Sequence, residues 1–244
     1  MTFGATFGRV ISPTFQPSSL AGGGAWWLAG GIAAANCVVA YQPKGAADYA
    51  ASKVNLANPG TLNAADGAAY PSFATATGWT FDNSKSQYLD SGLTGDALDA
   101  NNDGKVSAII RYAGVTQDVA KDHYLFGAQN VYGNFSILTG INNAYTRTYF
   151  SNMSARYDHT ADSTGAHVLA IADRTGYIDG TSVCTIGDIS SYKTQQPANI
   201  AIGAANNNGT IINHLKGSIY AVAFYKIVLT EAQVIALTTA MNAL

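Results

Sequence analysis

From about residue 79 onward, short apolar runs are separated by clusters of Gly, Asn and Asp. The runs at 106–115, 124–128, 135–138, 145–150, 167–172, 200–203 and 218–225 have the length and the Val, Ile, Tyr and Phe content of strands. No helical periodicity intervenes between them, which predicts an all-β fold, a sandwich or barrel, rather than βαβ units. In the last run Ile219, Ala221 and Ala223 alternate with Tyr220, Val222 and Phe224. Both sets are apolar, so this strand is expected to be covered on both faces. The chain ends in a short C-terminal helix. Thr230 and Gln233 have the spacing of a capping box, in which each side chain satisfies the other's free backbone N–H. Val234, Leu237 and Met241 then share one helix face.

Upstream the pattern changes. Phe3, Phe7 and Phe15 are interleaved with Pro13 and Pro17, which favours an extended segment. Ala47, Ala50, Ala51 and Val54 form an apolar stripe closed by Asn58-Pro59-Gly60, which predicts a short helix near 45–57. The expected organisation is an N-terminal extended arm and linker over 1–74 and a β-sandwich over 75–244. The run 21–35 is apolar, but at about 15 residues it is shorter than the roughly 20 of a membrane helix. Arg9 is separated from it by two prolines, so it does not read as an export signal either. Phe3, Phe7, Phe15, Trp26 and Trp27 give the arm an aromatic surface that must be covered by its own domain, by identical copies or by another protein. The expectation is an assembly element in a homo-oligomer.

Charge narrows the function classes. Lys and Arg number 13 against 15 acidic residues, so there is no basic surplus to neutralise phosphates, and nucleic acid is not an expected partner. No membrane partner is expected. Cys37 and Cys184 show no C-x-x-C spacing, and buried free thiols are the simpler reading than a bridge.

Several landmarks carry a family resemblance. Trp79-Thr80-Phe81-Asp82-Asn83 is followed by Gln87-Tyr88-Leu89-Asp90; the strand 167–173 leads into Gly176-Tyr177-Ile178-Asp179-Gly180. Ile200-Ala201-Ile202-Gly203 then precedes the strand 215–225 and Leu229-Thr230-Glu231-Ala232-Gln233-Val234. In order and spacing these resemble laminin-G-like, concanavalin A-like lectin/glucanase domains over roughly 75–244. That implies a two-sheet antiparallel β-sandwich of the concanavalin A-like jelly-roll type. The chain departs from the family where an acidic residue usually follows Ile, a position held here by Tyr220. Segments 7–17 and 47–60 resemble, more loosely, the leader of tailed-bacteriophage virion proteins that carry such a domain.

Glucanases of this type work with paired carboxylates. Glu231 is the sole glutamate and sits in the expected helix cap, while Asp173 and Asp179 fall where the hairpin needs turn residues. There is no G-x-S-x-G elbow, and His123, His159, His167 and His214 show no partner spacing. No enzyme and no cofactor are expected. Asp99, Asn101 and Asp103 match the first half of a calcium loop, but Ile110 stands where a closing carboxylate is required, so a polar turn is the simpler reading. For glycan binding the candidates are Tyr132, Tyr145, Tyr149 and Tyr157 with Asn142, Asn143 and Asn207; tyrosines also pack strands and asparagines also make turns. The resulting expectation is a non-enzymatic virion component, in the capsid or tail. Its arm would dock on other virion proteins, and its sandwich would face outward and bind host-surface glycan. The alternative is a stand-alone carbohydrate-binding module; a glycoside hydrolase is disfavoured.

Overall fold

The computed structural model describes residues 24–101, 103–115, 122–130, 133–142, 145–152, 155–160, 165–186 and 197–244. In chain order the strands are β1 (Cys37–Tyr41), β2 (Ala65–Asp66), β3 (Ser72–Ala74), β4 (Gly78–Phe81), β5 (Leu89–Thr94) and β6 (Ser107–Ala113). The middle of the chain supplies β7 (Asp122–Asn130), β8 (Gly133–Asn142), β9 (Tyr145–Asn152), β10 (Ala155–Thr160), β11 (His167–Ala172) and β12 (Thr175–Ile178). Last come β13 (Thr181–Thr185), β14 (Asn199–Ile202), β15 (Ala205–Asn207), β16 (Thr210–Ile212) and β17 (Gly217–Tyr225). Among the described residues the α-helices are α1 (Tyr49–Ser52), α2 (Gly95–Leu98) and α3 (Glu231–Asn242), with three single-turn 3-10 helices beside them.

The strands form two sheets. The first has the order β13-β12-β11-β6-β17-β4-β3, with β1 also on β17; the second has the order β10-β9-β8-β7-β14-β5-β2, with β15 on β7 and β16 on β15. The long pairings are antiparallel, and β15 lies parallel to β7. Between the sheets Trp79, Ile110, Tyr112, Val222 and Phe224 of the first meet Leu89, Phe126, Phe135, Ile137 and Ile202 of the second, all buried. Phe126 and Phe224 meet edge to face with centroids 5.1 Å apart, a favoured aromatic geometry. Gly203, just after β14, lies against the Phe81 ring. Its φ is +78°, and a Cβ there would lie 2.3 Å from the Phe81 ring, so only glycine fits.

α3 forms where the capping box predicts. Thr230 N–H donates to Gln233 Oε1 at 2.9 Å, and Gln233 N–H donates to Thr230 Oγ1 at 3.3 Å. Its buried Val234, Leu237 and Met241 cover the outer face of the first sheet, against Ala221, Ala223 and Tyr225. β17 is therefore apolar on both faces, as expected, but the alternation is not continuous. Ile219 pairs with Tyr112 and Ala221 with Arg111, which leaves Tyr220 as the extra residue of a bulge. The bulge changes the phase, so Ile219 joins Val222 and Phe224 between the sheets, while Ala221 and Ala223 face α3.

The described residues before 75 are part of this architecture. β1 pairs with β17 from Cys37–Tyr225 to Tyr41–Val222, and Val39 and Tyr41 are buried between the sheets. The helix expected near 45–57 is a single turn. Asp48 caps it by accepting Ala51 N–H at 2.7 Å, and it ends after Ser52. Asn55, fully buried, accepts Ala40 N–H at 3.0 Å and donates to Val38 O at 3.1 Å and Thr61 O at 2.9 Å. Such side-chain bonds to the backbone compete with helix continuation and here stitch the loop to β1.

Candidate ligand-binding site

A polar pocket of about 190 Å³ is lined by Asn83, Asp122, His123, Asn213 and His214. Its parts come from three places: the short turn after β4, the start of β7, and the connection between β16 and β17. Asn213 takes a left-handed conformation (φ 55°), and its carbonyl accepts Tyr124 N–H at 3.2 Å, which ties this connection to β7.

His123 is fully buried, and its Nδ1 lies 3.0 Å from the carbonyl of His214; the Nδ1 of His214 lies 3.2 Å from the carbonyl of Gln87. A carbonyl can only accept, so both Nδ1 atoms carry the proton, and in the neutral rings both Nε2 atoms hold lone pairs. The Nε2 of His123 has no hydrogen-bond partner. Its cross-strand neighbour Thr139 is also fully buried with an unpartnered hydroxyl. Native interiors rarely leave such groups unmatched without a water, an ion or a ligand to meet them. The Tyr88 ring stands beside the pocket, its centroid 6.4 Å from that of His214.

This pairing was not visible in the sequence, because the two histidines lie 91 positions apart. Of the tyrosine and asparagine candidates, Tyr132 and Asn143 fall outside the described residues. The register sets Asn142 opposite Tyr145, and Leu138 opposite Tyr149, which in turn pairs with Asp158. Leu138 also pairs with Tyr124, and both belong to a small cluster with Ala205 outside the main core. Tyr145 and Tyr149 are thus at alternate pairs of one strand in the second sheet, and Tyr157 pairs with Phe150. Asn207, exposed, ends β15 opposite Thr210. Asn207 does not line the histidine pocket.

Asp99, Asn101 and Asp103 share a different cleft, of about 540 Å³, with Lys105 and Val228. The oxygens of Asp99 accept the N–H groups of Asp103 at 3.2 Å and Gly104 at 2.9 Å. Those of Asp103 accept Lys105 N–H at 3.1 Å and lie 3.0 Å from its Nζ. N–H donors therefore engage these carboxylates in a self-closed polar turn. Burial raises the Asp99 carboxyl above its ordinary pKa. Among the described residues no three His, Cys, Asp or Glu side chains gather as a metal site.

The aromatic residues expected to serve assembly are divided. Phe3, Phe7 and Phe15 lie outside the described residues. Trp26 is buried under α3 with Ile32, and Trp27 packs against the same cluster, edge-on to Trp26 at 5.9 Å. Trp26 is thus core of this chain and is not offered to a partner. Tyr225 Oη donates to Trp27 O at 2.9 Å, which fixes the segment to β17. Cys37 and Cys184 are free and buried, and burial pushes the Cys37 thiol up to about 12. Among the described residues no helix is long and apolar enough to cross a membrane.

No protein-family model and no curated protein sequence matches the chain. Solved structures do. A mutant of Trypanosoma rangeli sialidase displaying trans-sialidase activity is similar with a TM-score of 0.55 at 13% identity, over 86% of this chain and 34% of that one. Trypanosoma rangeli sialidase in complex with 2,3-difluorosialic acid gives 0.52 at 14% identity, over 71% and 29%. This chain therefore spans about a third of the sialidase it resembles. The CBM40 of Ruminococcus gnavus IT-sialidase, bound to α2,3 sialyllactose, gives 0.47 at 19% identity over 62% and 92%. At such identities the likeness is one of fold alone, a two-sheet β-sandwich.

Proposed function

We propose that the protein is a non-catalytic carbohydrate-binding β-sandwich that receives a sugar hydroxyl in the His123–His214 pocket. The observation that carries this reading is His123, a residue of the pocket lining that is fully buried and whose Nε2 has no hydrogen-bond partner. An unmet buried acceptor costs about 1–3 kcal/mol, which a hydroxyl donor from a ligand recovers. Sugars present such hydroxyls around a ring. Asp122, Asn83 and Asn213 add carboxylate and amide oxygens to the same pocket, and the Tyr88 ring adds an aromatic surface at its side.

The carboxylates support a non-catalytic role. Glu231 lies in the first turn of α3, over the other sheet. Asp173 and Asp179 occupy left-handed turn positions (φ 53° and 50°), and Asp179 accepts Val168 N–H and the His167 ring, both at 2.8 Å. The virion role rests on the apolar leader, the lack of an export signal and the low charge; with Trp26 in the core of this chain we place glycan binding first. The experiment is a titration with monosaccharides and α2,3-sialyllactose, read by calorimetry. At least one sugar should bind, and binding should fall tenfold or more in both His123→Gln and Asn213→Gly, the latter an exposed position where glycine keeps the left-handed backbone and the core is spared. Failure of every sugar to bind, or binding intact in both variants, would falsify the reading.

A further inference from the structure

A second cluster lies on the first sheet, away from the histidine pocket, and is organised by the β17 bulge. Tyr220 is the residue that the bulge leaves unpaired with β6. On its other side β17 changes partner at the same point, since β4 pairs up to Ile219 and β1 from Val222. The chain leaving β1 closes onto this junction, where Lys44 N–H donates to Tyr220 O at 3.2 Å. Bulges commonly re-aim a side chain in this way. Here the tyrosine ring meets two cations, Lys44 Nζ at 4.9 Å and the Arg111 guanidinium at 5.2 Å from its centroid. All three residues are half-buried.

The charges are unbalanced. Among the described residues neither Lys44 nor Arg111 forms an ion pair with a carboxylate. Arg111 Nη1 donates to Met241 O at 2.8 Å near the end of α3, where the helix dipole is negative. That carbonyl is its hydrogen-bond partner, while Nε is out of solvent and has none. Burial and the neighbouring guanidinium both disfavour the charged form of Lys44. A ring face compensates a cation by only about 0.5–2 kcal/mol, so two cations held together on one tyrosine lack a counter-charge.

We propose that Lys44, Tyr220 and Arg111 form a binding site for one carboxylate of a ligand, the acid group of an acidic sugar. An anion placed between the ammonium and the guanidinium would satisfy both with charge-assisted hydrogen bonds, and the planar guanidinium suits a carboxylate in particular. That the carrier is a sugar rests on the reading above; the anion site does not, because it uses other residues on the other sheet.

The test is titration of the full chain with sodium glucuronate, glucose and sodium sulfate at constant ionic strength, followed by calorimetry and by backbone amide shifts. Glucuronate is expected to bind saturably, to shift the amides around Tyr220, and to weaken at least tenfold in Lys44→Gln. That substitution removes a half-buried charge and no core packing. Arg111→Lys should weaken binding too, while keeping the charge. Glucose should leave these amides unmoved, and added salt should weaken glucuronate binding. No response to glucuronate beyond that to sodium chloride overturns the proposal, as does binding undiminished in Lys44→Gln. Sulfate bound more tightly than glucuronate would overturn the carboxylate assignment. Glucuronate binding lost in His123→Gln but kept in Lys44→Gln would assign it to the histidine pocket and sink this site while sparing the other.

Discussion

The indole N–H of Trp79 donates to the hydroxyl of Ser52 at 2.8 Å, with both residues out of solvent. The bond ties the single turn of α1 to the first strand of the landmark series. Ser52→Ala should therefore leave a buried donor unpaired and cost about 1–3 kcal/mol, read as a lower urea midpoint at unchanged slope. An unaltered midpoint would show that water or a shifted ring takes over the bond.

Trp26 sets a second expectation. Buried with Val234, Leu237 and Met241, it should cost about 3–5 kcal/mol on truncation to alanine. Deleting residues 1–35 removes both Trp26 and Ile32, and should yield a chain that melts well below the full protein. A truncated chain as stable as the parent would restore the view of this stretch as a detachable arm.

Alkaline stability follows from Cys37. Its folded pKa is raised from 9.0 to about 12, mainly by burial, against hydrogen bonds with Tyr225 and Val39 that act to lower it. Between those values the unfolded thiol has lost its proton and the folded one has not, so the unfolded state gains and stability falls as pH rises. One group contributes up to about 1.4 kcal/mol per pH unit. Tyr41 and Tyr225, also raised by burial, act in the same direction at higher pH. Denaturation midpoints should decline from about pH 9 upward, and more gently in Cys37→Ala. An equally steep decline in that variant would remove Cys37 as a cause.

Calcium should move the melting temperature little, because the oxygens of Asp99 and Asp103 already accept N–H donors from their own loop and from Lys105. A rise of many degrees in millimolar calcium would mean that the loop reopens to bind the ion.

What could be read from the sequence follows the range of the interactions concerned. The Thr230–Gln233 cap and the strand at 167–172 depend on neighbours a few residues away, and both are where the pattern puts them. Cys37–Tyr41 is a strand without polar alternation because β17 covers its edge and apolar clusters cover both faces; in an Ala- and Gly-rich stretch such a run has no distinguishing period. The bulge at Tyr220 is invisible for another reason. It is decided by the register of β6 and by the handover from β4 to β1, neither of which leaves a local mark. The same holds for the histidine pocket, whose imidazole is oriented by a carbonyl 91 positions away. The calcium-like string shows the converse, a local motif whose ligand atoms the fold spends on its own backbone.

The place of β17 has a consequence for how the chain is made. It is the last strand in the sequence, yet it sits inside the first sheet, against β6 on one side and β4 and β1 on the other. While the ribosome is still adding residues 217–225, the strands formed earlier have no centre to close around, and the inner faces of β1, β4 and β6 stay exposed. The sheet can be completed only after residues 217–225 have emerged. The long-range pairings of β17 with β1 and β6 make this a slow closure, during which a nascent product lacking residues 217–225 would be a ready target for chaperones and proteases.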